Sequence, residues 1–552
     1  MPRLLLGPLL RHVGEHDASI WVEADTPCTV EVLGHREHTW TVAGHHYALV
    51  GVEGLEAGST TPYDVTLDGE VVWPPADSAY PPSRIRALDP GRPLRVVFGS
   101  CRYARPDAVV GNSKFDADAL DAYSSRMQRL PDERWPDALV LLGDQVYADE
   151  TTDETKRRIR AKRDITIPPK DQVADYEEYT WLYQESWSDP DIRWLLSTIP
   201  SSMIFDDHDV RDDWNTSAEW RREMQATSWW EERIIGALSS YWVYQHLGNL
   251  GPEGLADDAL YQKVRAYDGD AEPLLREFAA AADREADGRK GAQWSYRRDL
   301  SCARLLVIDS RCGRMLETGE RSMVSEAEFR WIEEQVAGDY DHLLVGTSLP
   351  WLLPRALHDI EAWNERLADG SRGPRMARLA ERFRRAADLE HWAAFRKSFD
   401  RLAELFACVG RGEHAGSEGE PPATVCVLSG DVHHAYASRA HYPADDGKPA
   451  IRSKIYQLTC SPVHNYVPLA MKVAFRVSWS RGAEKATKFL LQRVSRLPWQ
   501  PLTWERMAGP CYGNGVATLQ LDGRTASLTI EKAGRDASGE PILTPVVTLQ
   551  LN

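Results

Sequence analysis

The chain of 552 residues is too long for one compact core and has an ordinary globular composition, 43% hydrophobic and 27% charged, so two or three domains are expected. A formal net charge of −18 repels polyanions and argues against general nucleic-acid binding, and no apolar run approaches the ~18 residues that a membrane helix requires. Eight cysteines with no C-x-x-C pair suit a reducing compartment better than a disulfide framework.

In chain order, Leu4-Leu5-Leu6 is broken by Gly7-Pro8 and stops at Arg11-His12, without a twin-Arg pair or a small-residue cleavage site. It reads as a first strand, and a cytoplasmic protein is expected. Short strands at 19–23 and 29–33 follow, and 63–67 faces 71–73 across Asp68-Gly69, a strong hairpin signal. Residues 1–88 are therefore expected to form an all-β sandwich domain. Pro74-Pro75, Pro81-Pro82 and Pro90-Gly91-Arg92-Pro93 punctuate the linker, and an α/β catalytic domain is expected over 89–552, with its first strand near Leu94.

Apolar strands at 95–98, 138–142, 203–205, 304–308, 342–346, 425–428 and 454–459 imply a sheet at least six strands wide. The aromatic residues between 176 and 194 and between 220 and 244 are expected to be mostly core. Residues 355–409 read as amphipathic helices, with Leu389, Trp392, Phe395, Phe399, Leu402 and Leu405 at helical spacing. The basic amphipathic stretch 471–496 reads as a solvated face rather than a membrane anchor. Residues 516–530, centred on Asp522-Gly523, form a closing hairpin.

Four of these strands run directly into chemistry-bearing residues: Gly99-Ser100-Cys101, Gly143-Asp144 with Tyr147 three residues on, Asp206-Asp207-His208-Asp209, and Ser429-Gly430-Asp431-Val432-His433-His434. In an open α/β sheet, ligands gather outside the carboxyl ends of the strands, so these side chains would converge on one spot. Three carboxylates around an imidazole within four residues repel one another unless cations neutralise them, and two divalent or trivalent ions would account for so many ligands. Gly346-Thr347-Ser348-Leu349-Pro350 lacks the second glycine of a nucleophile elbow, and neither a P-loop nor an H-E-x-x-H motif is present. The bland alternative makes Asp206–Asp209 a helix cap and His433-His434 core residues, which suits either motif alone but not all four together.

In order, Gly99-Ser100-Cys101, Gly143-Asp144-x-x-Tyr147, Phe205-Asp206-Asp207-His208-Asp209, Asp309-Ser310-Arg311 and Ser429-Gly430-Asp431-Val432-His433 resemble the motifs of the PhoD-like alkaline phosphatases, within the calcineurin-like metallophosphoesterases. The resemblance spans roughly residues 94–550. It implies an αββα sandwich behind a small N-terminal β-domain. It also implies that Cys101 and Tyr147 bind ferric iron, that Asp144 bridges to a second metal, and that Asp207, Asp431 and His433 complete the ligand set, with calcium as the other family metal. Zinc, manganese and magnesium stay open. Asp209 stands where the family often has Glu.

The resulting expectation is a phosphoesterase in which a metal-bridging hydroxide attacks phosphorus and His208, with Asp144, carries the catalysis. Arg311 and Asn215 are candidate phosphate-binding residues. A phosphodiesterase acting on phospholipid, teichoic-acid-like or nucleotide diesters is the alternative within enzymes, and a metal-stabilised binding module is the alternative outside them. The natural substrate and the oligomeric state are not legible.

Overall fold

Strands that are apolar on both faces must be covered on both faces, and this chain covers them with a second sheet on one side and helices on the other. The computed structural model describes every residue except 105–114, 288–291, 318, 371, 417–418, 445–446 and 496–499. Instead of one wide sheet, the described residues after Pro93 build two. The first has the spatial order Ser201–Ile204, Ala138–Leu142, Leu94–Gly99, Gly515–Asp522, Thr525–Arg535, Pro541–Gln550. The second runs Tyr296–Leu300, Ala303–Val307, His342–Gly346, Thr424–Ser429, Lys454–Thr459, Ala435–His441, Thr503–Cys511. Sequence patterning alone could not separate them, because the C-terminal hairpin returns across more than 400 residues to pair antiparallel with Leu94–Gly99, Leu94 lying opposite Leu521.

The period-2 alternation of a strand sorts the side chains between the layers. Leu305, Val307, Leu344, Cys426 and Leu428 join the same core as Val96, Phe98 and Val140 of the first sheet. Their neighbours Leu306, Leu343, Val345, Val425 and Val427 pack instead with Phe399, Leu402 and Phe406 of the helix Arg396–Arg411. Gly346 makes room between the sheets, since a Cβ there would lie 3.1 Å from Leu142 Cδ2.

The N-terminal segment builds two four-stranded sheets, Leu4–Val13, Asp17–Ala24, His45–Glu53, Trp40–Val42 and His35–His38, Thr29–Val32, Val65–Leu67, Glu70–Trp73. The hairpin at Asp68-Gly69 forms with both residues at positive φ, +50° and +88°, the type I′ geometry that matches strand twist. Ile20, Val22, Val50 and Val52 face the second of these sheets, while Trp21, Tyr47 and Leu49 face the main core. Arg11, fully buried, donates to the carbonyls of Ser201, Tyr244 and Gln245 at 3.2, 2.7 and 2.8 Å, tying the first strand to the edge of the first catalytic sheet.

One helical reading needs correction. The helices Arg355–Ala368, Pro374–Ala386 and Arg396–Arg411 are present, but 387–395 leaves the helical path, with Asp388 at φ +46° and only a short 3-10 turn at Trp392–Ala394. Leu389 and Trp392 still fill core positions; Glu390 and His391 between them turn toward the strand ends, where charged partners await them. The basic stretch forms Leu469–Ser478 and Arg481–Ser495, with Arg496 outside the described residues. Phe475 of the first helix and Trp479 just after it pack on Val432 and Tyr436, covering the end of the last motif. Among the described residues, no helix is long and apolar enough to cross a membrane.

Gly430 marks the tightest approach between the two sheets, because a Cβ there would fall 1.9 Å from Ser100 Oγ and 2.2 Å from Ser100 Cβ. Gly430→Ala is expected to destabilise by about 1–3 kcal/mol, as overpacking does. Gly534→Ala, where nothing lies within 4 Å, is expected to be nearly neutral. Urea denaturation of both variants checks this, and equal midpoints would contradict the close approach.

Candidate metal centre

Each ligand-bearing loop leaves its strand through a backbone conformation that side chains resist. Cys101, Asp144, Asp213, Asn215, Asp431 and His433 all have positive φ, from +49° to +65°. Asn and Asp tolerate this region; for Cys and His it costs about 1–2 kcal/mol each, and such strain gathers where function over-determines the backbone. The loops hold one another in place. Cys101 N donates to Gly143 O at 3.1 Å, Arg102 N to Asp144 O at 3.0 Å, and Asp431 N to Ser100 Oγ at 3.2 Å, which joins the two sheets.

The acids sit at this junction. Ligand oxygens of Asp144, Asp206 and Asp207 all lie within 4.8 Å of one another, and a second such group joins Asp207, His208 and Asp212. Asp144 and Asp206 are 1% and 0% exposed, and Asp144 Oδ1 and Asp206 Oδ2 have no hydrogen-bond partner among the described residues. Burial first, and then the neighbouring carboxylates, push the pKa of both far above the usual carboxylate range. Orphaned carboxylate oxygens in a dry site are what a cation satisfies, so the donor set fits metal ions.

Tyr147 and Cys101 border Asp144. The Tyr147 hydroxyl donates to Asp144 Oδ2 at 3.4 Å and accepts from Asn465 Nδ2 at 2.8 Å. Cys101 Sγ receives the Ser461 hydroxyl at 3.3 Å and lies 3.1 Å from Ser100 Oγ. Burial and the Asp144 charge raise both pKa values well above normal, so without a cation both groups stay protonated.

The two histidines differ. His208 Nδ1 lies 2.9 Å from Asp149 Oδ1; burial would lower its pKa, but Asp149 and Asp207 outweigh it and hold the ring as imidazolium. His433 is pushed down to about 4 by burial and stays neutral, the form a metal takes. His434 is committed elsewhere, with Nδ1 on Val432 O at 2.7 Å and Nε2 accepting from Trp479 Nε1 at 3.1 Å.

Arg311 and Asn215, the candidate phosphate-binding residues, both sit beside the acids. Arg311 is 0% exposed and donates to Asp206 Oδ1 and to Glu390 Oε2 at 2.6 Å, while its Nη2 pairs with Asp207 Oδ1 at 3.2 Å and has no hydrogen-bond partner among the described residues. Asn215, 1% exposed, donates to Arg311 O at 3.2 Å. Asp309 caps the same turn, accepting from the amides of Arg311, Cys312 and Gly313. Asp209 does not join the acids either. Its Oδ2 accepts from the amides of Asp144 and Asp206, both at 2.9 Å, and pins the two loops together.

Several residues had no sequence signal strong enough to find them. Asp206 was read only as part of its motif. Asp149 lies five residues beyond Asp144 and orients His208. His391 Nε2 sits 3.0 Å from Asp431 Oδ2 and its Nδ1 sits 2.7 Å from Glu361 Oε1, a relay that holds Asp431 down at about 2 against the effect of burial. The helical spacing of Leu389 and Trp392 concealed Glu390 and His391.

These shifts give the cation-free protein a pH dependence of known sign. A buried acid whose folded pKa lies above its unfolded value loses stability as pH climbs from about 4 through the folded value. Asp209 is raised to about 7 and Asp213 to about 8, both chiefly by burial, and burial also raises Asp144 and Asp206 well above the usual carboxylate range. Chelator-treated protein is therefore expected to melt at lower temperature at pH 8 than at pH 5, and added divalent or ferric ion should reverse the loss. A melting temperature that is flat or rising over this range without metal would contradict the placement of the acids.

Residues 108–266, which carry the Asp144, Tyr147 and Asp206–Asp209 loops, match a family model described as PhoD-like phosphatase. Residues 1–85 match a model described as a domain of unknown function, DUF7800. No curated protein matches the chain. A solved structure titled "Structure of PhoD" aligns with a TM-score of 0.56 at 11% identity, over 99% of this chain and 90% of that one, a likeness of fold. Residues 108–266 thus match the PhoD-like phosphatases, as the motifs had implied, and this match supports a hydrolase of the phosphoesterase class.

Proposed function

We propose that the chain hydrolyses phosphate esters at a centre of two or more cations held between its two sheets, an αββα sandwich to which the N-terminal β-sandwich is docked. The observation that carries this reading is the excess of buried carboxylate over buried cation: Arg311 serves Asp206, Asp207 and Glu390, and Asp144 Oδ1 and Asp206 Oδ2 have no partner among the described residues. Cys101, Asp144 and Tyr147 would hold one ion, and Asp206, Asp207, Asp431 and His433 are the donors for another. Thiolate and phenolate suit ferric iron, and the all-carboxylate side suits calcium. Such ions supply Lewis acidity toward phosphoryl oxygens and lower the pKa of water.

The chain's own groups do the rest. His208, held by Asp149 and kept protonated, presents a proton donor to the departing oxygen, and the Tyr147 ring lies tilted against it at 5.0 Å. The His391 bridge to Asp431 fixes that carboxylate as an anion. Eight unpaired cysteines support the cytoplasmic placement.

Comparing turnover of an aryl phosphate with that of its bis-ester tests the activity and ranks monoester against diester. His208→Ala is expected to keep its metals and lose roughly 10²- to 10⁴-fold in kcat, the signature of an acid rather than a ligand. Loss of metal ahead of turnover would reassign the residue. Protein purified aerobically without added metal is expected to absorb visible light through phenolate- or thiolate-to-iron charge transfer, and Tyr147→Phe and Cys101→Ser should each shift or bleach the band. A colourless, fully active zinc or manganese enzyme would refute the iron.

A further inference from the structure

Behind the layer that holds Arg311, the fold encloses a second charged cavity that the catalytic reading does not use. Its volume is about 390 Å³, and its walls come from the segment after Ser217, the helices Arg355–Ala368 and Pro374–Ala386, and the start of Arg396–Arg411. Seven lining side chains are Arg or Lys and four are Asp or Glu, so this wall is cationic in a chain of net charge −18.

The innermost cations are incompletely bonded. Arg384, 4% exposed, gives Nη1 to Glu381 Oε2 at 3.1 Å, while its Nε and Nη2 have no hydrogen-bond partner among the described residues. Arg321 lies over the Phe395 ring at 3.9 Å and donates Nε to Ala394 O at 3.3 Å, leaving Nη2 without a partner among the described residues. The nearby carboxylates are already engaged: Glu381 accepts the Ser217 hydroxyl, and Glu365 accepts the Arg396 amide at 3.0 and 3.2 Å. Burial and then Arg384 push the Arg321 pKa down, with Glu365 and Glu381 opposing them. Buried donors with open N–H groups are costly unless something accepts from them.

We propose that this cavity is a second anion site, in which a small phosphate-bearing molecule is gripped by the free N–H edges of Arg321 and Arg384. Planar guanidinium forks match phosphate oxygens two at a time, and the volume exceeds that of phosphate itself and falls within the range of small-ligand pockets. Exposed Arg222 and Arg378 at the rim would draw the anion in. None of these residues belongs to the acid cluster, so the proposal stands whether or not the chain turns over phosphate esters.

The test uses metal-loaded protein titrated by calorimetry with inorganic phosphate and, separately, with phenylphosphonate, which cannot be hydrolysed at a P–O ester. Wild type is expected to show a site that survives His208→Ala. Arg321→Met, which keeps the contact with Phe395, should weaken that site roughly 10- to 100-fold, as loss of a charge-assisted bond does. Without phosphate, Arg321→Met is expected to melt no lower than wild type, because it relieves a like-charge pair, whereas a purely structural arginine would lower the melting temperature. Tighter binding of phenylphosphonate than of phosphate would mark an organic phosphate as the ligand, and the reverse would mark free phosphate. Unchanged affinity in Arg321→Met overturns the site. If that variant does not fold, unchanged affinity in the exposed rim variant Arg378→Ala does so instead.

Discussion

Four acidic side chains, Asp144, Asp206, Asp207 and Asp431, are drawn to the meeting line of two sheets, where the fully buried guanidinium of Arg311 pairs with Asp206 and Asp207. Such a site resists its own formation, through desolvation and through repulsion. The surrounding structure is arranged to withstand both. Asp209 gives its carboxylate to two backbone amides, so the Asp144 and Asp206 loops cannot drift apart to relieve the repulsion. Glu361 and His391 hold Asp431 ionised, and Asp149 holds His208 ionised. The positive φ values of Cys101, Asp144, Asp431 and His433 belong to the same arrangement, strain fixed by neighbours that leave the loops no alternative.

Two sheets rather than one make this convergence possible. A single parallel sheet spreads its strand ends along a line, about 4.8 Å per strand, so the outermost ligands would lie too far apart for one centre. Face-to-face sheets bring the Cys101, Asp144 and Asp206 loops from one side against the Asp309 and Asp431 loops from the other, with Gly346 and Gly430 permitting the approach. The N-terminal β-domain braces the edge of the first sheet. Arg11 and Arg298 reach from different sheets to the carbonyl-rich segment around His246, where Arg11 bonds Tyr244 O and Gln245 O and Arg298 bonds Gly248 O at 2.8 Å and Asn249 O at 3.1 Å. The β-domain thereby stiffens the strand that ends at Asp206.

Much of this was legible in the sequence, because strand-to-ligand junctions are local. Apolar runs that end in Gly-Asp or Asp-Asp-His carry their meaning within ten residues, and Lys454–Thr459 and the Asp68-Gly69 hairpin were found in the same way. What was not legible depends on long-range contact. The split into two sheets rests on pairing between Leu94 and Leu521, and the Glu361–His391–Asp431 relay spans helices that periodicity reads as featureless. Arg311 shows the same limit. An arginine after a strand is compatible with phosphate or with a carboxylate, and its contacts with Asp206, Asp207 and Glu390 come from distant parts of the chain.

The claim on which the account rests is that cations neutralise the acids at the sheet junction. Anomalous diffraction from crystals of aerobically purified protein tests it most directly. The account expects at least two peaks, one beside Asp144, Cys101 and Tyr147 and one beside Asp206, Asp207 and Asp431, each within about 2.0–2.6 Å of carboxylate oxygens. A map without anomalous density at the junction, in crystals grown near pH 8 from protein that retains full activity, would contradict it.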